Sequence, residues 1–366
     1  MALRRSPRLV LLPALLALLA LSATAVAVAP VAAAGGPSYS WQRLATGTAE
    51  RFRGLAAVNG RIAWLAGTNA TILRTTDGGA SWQDVSPPAR QVTGSAGLVQ
   101  FRDIEAWDAQ NAVALAIGEG TDSRVLVTTN GGRSWRVSFT NHAPKAFYDC
   151  MGFFDRKHGL AVSDPVHGKF RLISTSDGGA SWTVLPNAGM PRALTGEFGF
   201  AASGTCLITS GSQDAWIASG GGAVSRVYHS SDRGLHWRVT STPVASGASS
   251  GIFSLAVRAG HRLVAVGGDF LAPDQAVDSA AFSRDAGASW RLSTVMPGGY
   301  RSGAAWVAHA RSTVLAVGPT GSDVSRDGGR TWAGFDSGSY DTVQCTLAGA
   351  CWASGDAGAA ARLVRG

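Results

Sequence analysis

Short runs of β-branched and apolar residues, partly alternating with polar ones, recur along this chain, each closed by a polar, glycine-rich turn. Runs 71–75 (Thr-Ile-Leu-Arg-Thr), 124–128 (Arg-Val-Leu-Val-Thr) and 171–175 (Arg-Leu-Ile-Ser-Thr) read as strands. Beyond the turns lie 82–85 (Trp-Gln-Asp-Val) and 182–185 (Trp-Thr-Val-Leu), again strand-like. Upstream sits a more apolar strand ending in Gly or Asp, as at 63–67, 159–164, 215–220 and 263–267, and ahead of it one more, such as 52–58 or 250–257. The pattern predicts units of four antiparallel strands, the blades of a propeller.

The turn between the third and fourth strands is nearly constant. Six copies of Ser/Thr-x-Asp/Asn-x-Gly-x-x-Trp occur at 75–82, 128–135, 175–182, 230–237, 283–290 and 325–332. Five keep the aspartate (Asp77, Asp177, Asp232, Asp285, Asp327), and Asn130 replaces it in the second. An Asp or Asn side chain accepts local backbone N–H bonds, Gly supplies a positive φ, and the Trp buries apolar area while its indole N–H finds a partner. A spacing of about 40 to 55 residues marks units that need their neighbours to complete a core.

The two ends of the chain combine into one more unit. Segments 351–355 and 361–364 repeat the second and third strands and then stop, while 39–44 (Tyr-Ser-Trp-Gln-Arg-Leu) resembles the fourth. The N-terminal strand is therefore expected to close the last blade. Outer-strand tryptophans Trp41, Trp82, Trp135, Trp182, Trp237, Trp290 and Trp332 imply an all-β, seven-bladed propeller, with six blades as the competing count.

These boxes resemble the Asp-box, or BNR, repeats of sialidases, sortilins and some glycoside hydrolases. Phe52-Arg53-Gly54-Leu55, Ala63-Trp64-Leu65-Ala66-Gly67 and the repeated Asp-Gly-Gly-x-Ser-Trp turns make the chain more similar to the propellers related to photosystem II stability/assembly factors, including non-photosynthetic bacterial relatives. That resemblance covers nearly everything after the first 34 residues and implies a non-enzymatic scaffold that binds a protein or peptide. It specifies fold far more sharply than function.

Composition narrows the compartment. Arg4, Arg5 and Arg8 precede a mostly apolar stretch over 9–29, and Ala32-Ala33-Ala34 fits a small-residue cleavage site. Residues 1–34 thus read as an export signal, or as an anchor if uncleaved, followed by one propeller domain over 35–366. The reading places the protein outside the cytoplasm, periplasmic or secreted, as a monomer with a partner in the cell envelope. The full chain carries +8, of which the three leader arginines supply part, leaving a mildly basic remainder. No basic run or basic-aromatic array stands out, so nucleic acid is not an expected partner. The 47 glycines and 15% charged residues suit a turn-rich all-β chain. Four cysteines permit two disulfides in an exported protein. Cys345 and Cys351 flank a short connection in the closing blade, and Cys150 and Cys206 lie on neighbouring inner strands.

The box turns open on the face opposite the loops that enter the inner strands, so they read as structure. A site is expected at the inner-strand starts, where alignment of the units places Arg53, Arg102 with Asp103, Asp149, Glu197, Ser250, Arg301 and Asp341. Tyr148, Tyr300 and Tyr340 precede three of these, and loops on the same face add Glu119, Asp122, Asp164, His167, Asp269 and Asp274. Alternating Arg and carboxylate is read either as an ion-pair ring holding blades in register or as a binding mouth, since Arg recognises carboxylates with two prongs. The partner-binding set is Arg53, Arg102, Asp103, Asp149, Asp164, Glu197, Asp269, Tyr300 and Arg301. Irregularly spaced His142, His158 and His167 read as loop residues before metal ligands, and no cofactor is expected.

The alternative reading is a glycoside hydrolase or sialidase, which needs two positioned carboxylates or a Tyr with a carboxylate partner. Asp149, Glu197 and Asp341 are the candidates. Arg53-Gly54-Leu55 departs from the Arg-Ile-Pro segment of sialidases, which weakens that reading. A cofactor-dependent oxidoreductase is the third, without a dinucleotide fingerprint, haem or thiol motif to support it.

Overall fold

In a computed structural model, the described residues are 37–258 and 261–366, so the leader at 1–34 lies outside them. Seven antiparallel four-stranded sheets form a propeller. Their inner strands, defining blades 1 to 7, are Phe52–Ala57, Gln100–Ala106, Tyr148–Phe153, Leu207–Ser210, Ser250–Arg258, Gly303–Trp306 and Thr342–Cys345. Tyr39–Ala45 pairs with Ala359–Arg365 and supplies the outer strand of blade 7, from Tyr39 opposite Arg365 to Ala45 opposite Ala359. The ring closes where Phe52 N donates to Gly355 O at 2.8 Å.

Apolar residues at alternate strand positions meet between blades, and each buried tryptophan of a second strand reaches the next blade. Trp64 Nε1 donates to Asp108 O at 3.0 Å, Trp216 Nε1 to Ala286 O at 2.8 Å and Trp352 Nε1 to Asn59 O at 2.9 Å. Burying on the order of 200 Å² per indole, at about 25 cal/mol per Å², contributes about 5 kcal/mol gross. One hydrogen bond adds direction to each contact.

The boxes are self-contained turns. The Thr75 hydroxyl donates to Asp77 Oδ1 and accepts from Gly79 N, while Asp77 takes the Ser81 N–H and hydroxyl. Those bonds, the Ser81 hydroxyl first, hold the Asp77 carboxyl well below the usual carboxylate range. Gly79 has φ +88°, and a Cβ there would lie 2.5 Å from Leu44 Cδ1. Gly78, Gly131, Gly178 and Gly328 each donate to the turn between first and second strands, which fixes the boxes on the face where inner strands end. The indole expectation holds only in part. Trp41, Trp135, Trp237 and Trp332 find acceptors, whereas the Nε1 groups of Trp82, Trp182 and Trp290 are buried without one.

Disulfides join Cys150 to Cys206, linking blades 3 and 4, and Cys345 to Cys351 within blade 7.

Candidate functional site

Four inner strands slip register near their starts, between Phe52 and Gly54, Phe101 and Asp103, Tyr148 and Cys150, and Ile252 and Ser254. The residues left over are Arg53, Arg102, Asp149 and Phe253. A bulge frees one residue from the ladder and re-aims its side chain. Three of these four were read from the aligned units; in blade 5 the alignment pointed to Ser250, and the bulged residue is Phe253. A break in apolar alternation at Ile252-Phe253-Ser254 was the signal for it.

Blade 4 departs from the others. Phe198 bridges to Gly220, but the regular inner strand begins only at Leu207, so Glu197 precedes an excursion rather than opening the strand. Residues 199–206 fill the channel. Gly199 N donates to Asp164 Oδ1 at 2.8 Å, and Arg102 Nη1 donates to Ala201 O at 2.9 Å. Thr342 Oγ1 donates to Ser203 O at 3.1 Å, and Leu255 N to Thr205 O at 3.0 Å. The segment is thus held by blades 2, 3, 5 and 7, with Phe200 stacked on Phe253 at 3.8 Å between ring centroids. Gly204, at φ +75°, sits where a Cβ would fall 2.5 Å from Asp103 Oδ1. The mouth is consequently a floored dish. Sequence reasoning missed this plug because its residues, Gly199 to Cys206, carry no box and no charge.

On the floor's edge, Arg51 grips Asp341 with two prongs, Nε to Oδ2 and Nη2 to Oδ1, both 2.7 Å. Arg53 stands 3.6 Å from Asp341 Oδ1 and makes no hydrogen bond to a described residue; its Nε is buried and unmatched. Burial lowers the Arg53 pKa, partly offset by the Asp341 charge. Arg102 also contacts Gln100 Oε1 at 3.0 Å. Tyr300 packs edge-on against Phe253 at 4.7 Å, and burial followed by the nearby Asp341 charge pushes its phenol up. Phe198, Phe200, Phe253 and Tyr300 thus form an aromatic half beside the arginine half.

Other expected site residues are committed to the protein itself. Glu197 takes Arg226 Nε at 2.9 Å, Ser219 Oγ at 2.6 Å, Leu194 N at 2.7 Å and the Tyr228 hydroxyl, besides a second Arg226 contact. Arg301 is buried and donates to Asp323 Oδ2 at 2.6 Å, Thr320 Oγ1 and Tyr300 O. Asp103 is buried below the mouth and accepts Met151 N–H at 2.6 Å. Asp269 caps its own loop through Leu271 N at 2.9 Å.

The carboxyls of Asp149 and Asp164 lie close enough to shift one another. Asp149 Oδ2 is buried and has no hydrogen-bond partner among the described residues. Burial, then the charge of Asp164, pushes Asp149 well up; burial moves Asp164 up to about 6. His158 pairs with Asp155 at 2.8 Å, and His142 and His167 are exposed. Among the described residues no group of three or more His, Cys, Asp or Glu is arranged to hold a metal.

No protein-family model and no curated protein sequence matches the chain. Solved propellers do. YCF48 bound to D1 peptide superposes with a TM-score of 0.60 at 16% identity, covering 88% of this chain and 96% of that one. YCF48 from Cyanidioschyzon merolae gives 0.55 at 16% identity, with 88% and 98% covered. A GH74 xyloglucanase from Xanthomonas campestris gives 0.59 at 16% identity, but this chain spans only 53% of it. The shared property is the seven-bladed Asp-box propeller fold, as the repeats implied.

Proposed function

We propose that this chain is an exported, non-catalytic propeller that binds an extended segment of a partner protein across its plugged mouth. The observation that carries this reading is Arg53, a half-buried guanidinium that meets Asp341 only at 3.6 Å and whose buried Nε has no hydrogen-bond partner among the described residues, beside an aromatic wall. Such a cation is poised for a carboxylate on a partner. The surrounding face adds apolar area: Leu194, Val224, Phe270, Leu271 and Val277 are exposed on loops of blades 4 and 5, Leu271 at 74%. Apolar patches beside charged groups mark protein contact surfaces. The similarity to a peptide-bound YCF48 supports the same reading. The apolar leader and the two disulfides fit an oxidising compartment outside the cytoplasm.

The hydrolase reading fares less well on the same residues. Glu197 is saturated by its own partners, Asp341 is held by Arg51, and Asp149 is buried beside Asp164. A general acid and a nucleophile both need an unclaimed oxygen facing substrate. Selection of displayed random peptides on the folded protein tests the proposal. Selected sequences should carry a carboxylate next to large apolar residues and bind Arg53→Ala about tenfold or more weakly. Peptides that bind Arg53→Ala as tightly as the native protein would overturn it.

A further inference from the structure

Below the plug, the channel opens on the box face as a cavity of about 650 Å³. Its walls come from the far halves of the inner strands of blades 2 to 7. Leu207, Leu255, Val257, Val307 and Val343 give them an apolar part beside the polar Thr209, Ser210, Gln344 and Thr346, and Gly204 and Thr205 of the plug close the inner end. Three charged or titratable side chains line it: Glu105, Arg258 and His309. Arg258 is occupied, donating to Ala310 O at 2.6 Å and Val307 O at 3.3 Å while lying over the Trp306 ring. His309 is exposed at the outer rim.

Glu105 differs from Asp103, Asp149, Asp164, Glu197, Asp269 and Asp341. It makes no hydrogen bond and no ion pair with any described residue, although it is half-buried. Asp103, two residues earlier on the same side of the strand, is buried against Met151 N and the plug, and burial, then the Glu105 charge, pushes its carboxyl well up toward the neutral form. Its carboxyl opens onto the cavity, and no described residue competes for it there.

We propose that this lower cavity is a binding site for a small apolar amine, whose ammonium pairs with Glu105 and whose body packs on the Leu and Val walls. A metal ion does not suit the place, since one carboxylate is too few ligands. An anion does not suit it either, with Glu105 the one acidic side chain lining the cavity. Burial pushes Glu105 up to about 7, so the site strengthens for a cation as pH rises through neutrality, when the carboxyl loses its proton.

The test uses the full propeller with 2-phenylethylamine as probe and 2-phenylethanol as its uncharged counterpart, by calorimetry at pH 8 and pH 6. The amine should bind about tenfold or more tightly than the alcohol at pH 8, with the preference shrinking at pH 6. Glu105→Gln should abolish the preference, and Ala305→Phe, which narrows the cavity, should weaken both ligands. Glu105→Gln removes an uncompensated charge, so its fold is expected to persist, and circular dichroism checks this. Equal binding of amine and alcohol, no binding of either, or an unchanged amine affinity in Glu105→Gln overturns the proposal.

Discussion

Arg51 and Asp341 meet through two parallel 2.7 Å hydrogen bonds, and that pairing leaves Arg53, two residues along, with only a longer 3.6 Å ion pair to the same carboxylate. The two arginines therefore differ in what they do. Arg51→Ala strands the buried Asp341 and should cost about 1–3 kcal/mol of stability, read as a lowered denaturation midpoint. Arg53→Ala should leave that midpoint unchanged or slightly raised, because an unmatched buried Nε is removed. Equal destabilisation by both substitutions would show that Arg53 is structural.

Glu197 separates the structural reading of its position from a catalytic one. Its carboxylate is the counter-ion of Arg226, which is itself largely buried. Glu197→Gln leaves that guanidinium uncompensated and should cost about 3–5 kcal/mol. Chemical denaturation measures this. A variant of native stability would return Glu197 to the list of candidate catalysts.

The Asp149–Asp164 pair predicts a pH dependence with a definite sign. Both carboxyls have folded pKa values above the unfolded value near 4. Their contribution to stability is thus full below about pH 4 and is lost as pH rises through about 6 and beyond. The native protein should lose about 1–2 kcal/mol between pH 5 and pH 8 from this source, and Asp149→Asn should flatten the profile. A native profile that rises over this range, unchanged by Asp149→Asn, would contradict the raised carboxyls.

The plug depends on its anchors. Cys206 ends the excursion and is tied to Cys150 across a 56-residue separation, a linkage worth about 2–4 kcal/mol. Replacing both cysteines with serine should speed amide exchange in 199–206 more than in the neighbouring strands. Arg102→Ala should do the same to a smaller extent, through loss of the Ala201 bond. Unchanged exchange in both variants would mean that packing of Phe200 on Phe253 alone holds the floor.

The repeats made the fold legible because each box needs the same few residues: a hydroxyl, an acceptor, a glycine and a tryptophan. Trp41, which stands in no box, still marked the strand that closes the ring. The mouth was legible in part. Arg53, Arg102 and Asp149 emerged because they occupy equivalent bulges, and bulges recur with the unit. Arg51 escaped notice because it sits outside the inner strand and matters only through Asp341, which is 290 positions away. The plug depends on contacts between blades, and the Asp149–Asp164 pair on a contact across the first two strands of blade 3 that no other blade repeats. Arg301 and Glu197 looked like mouth residues for the converse reason: their partners Asp323 and Arg226 lie on third strands of their own blades.

Affinity capture from the native cell envelope tests the mouth most directly, comparing the native protein with an Arg53→Ala, Leu271→Asp double variant. The native protein should retain a specific partner that is released as salt rises, since a surface ion pair weakens with screening. The double variant, folded to the same midpoint, should retain none of it. Capture of the same partner by both proteins would contradict binding at the mouth.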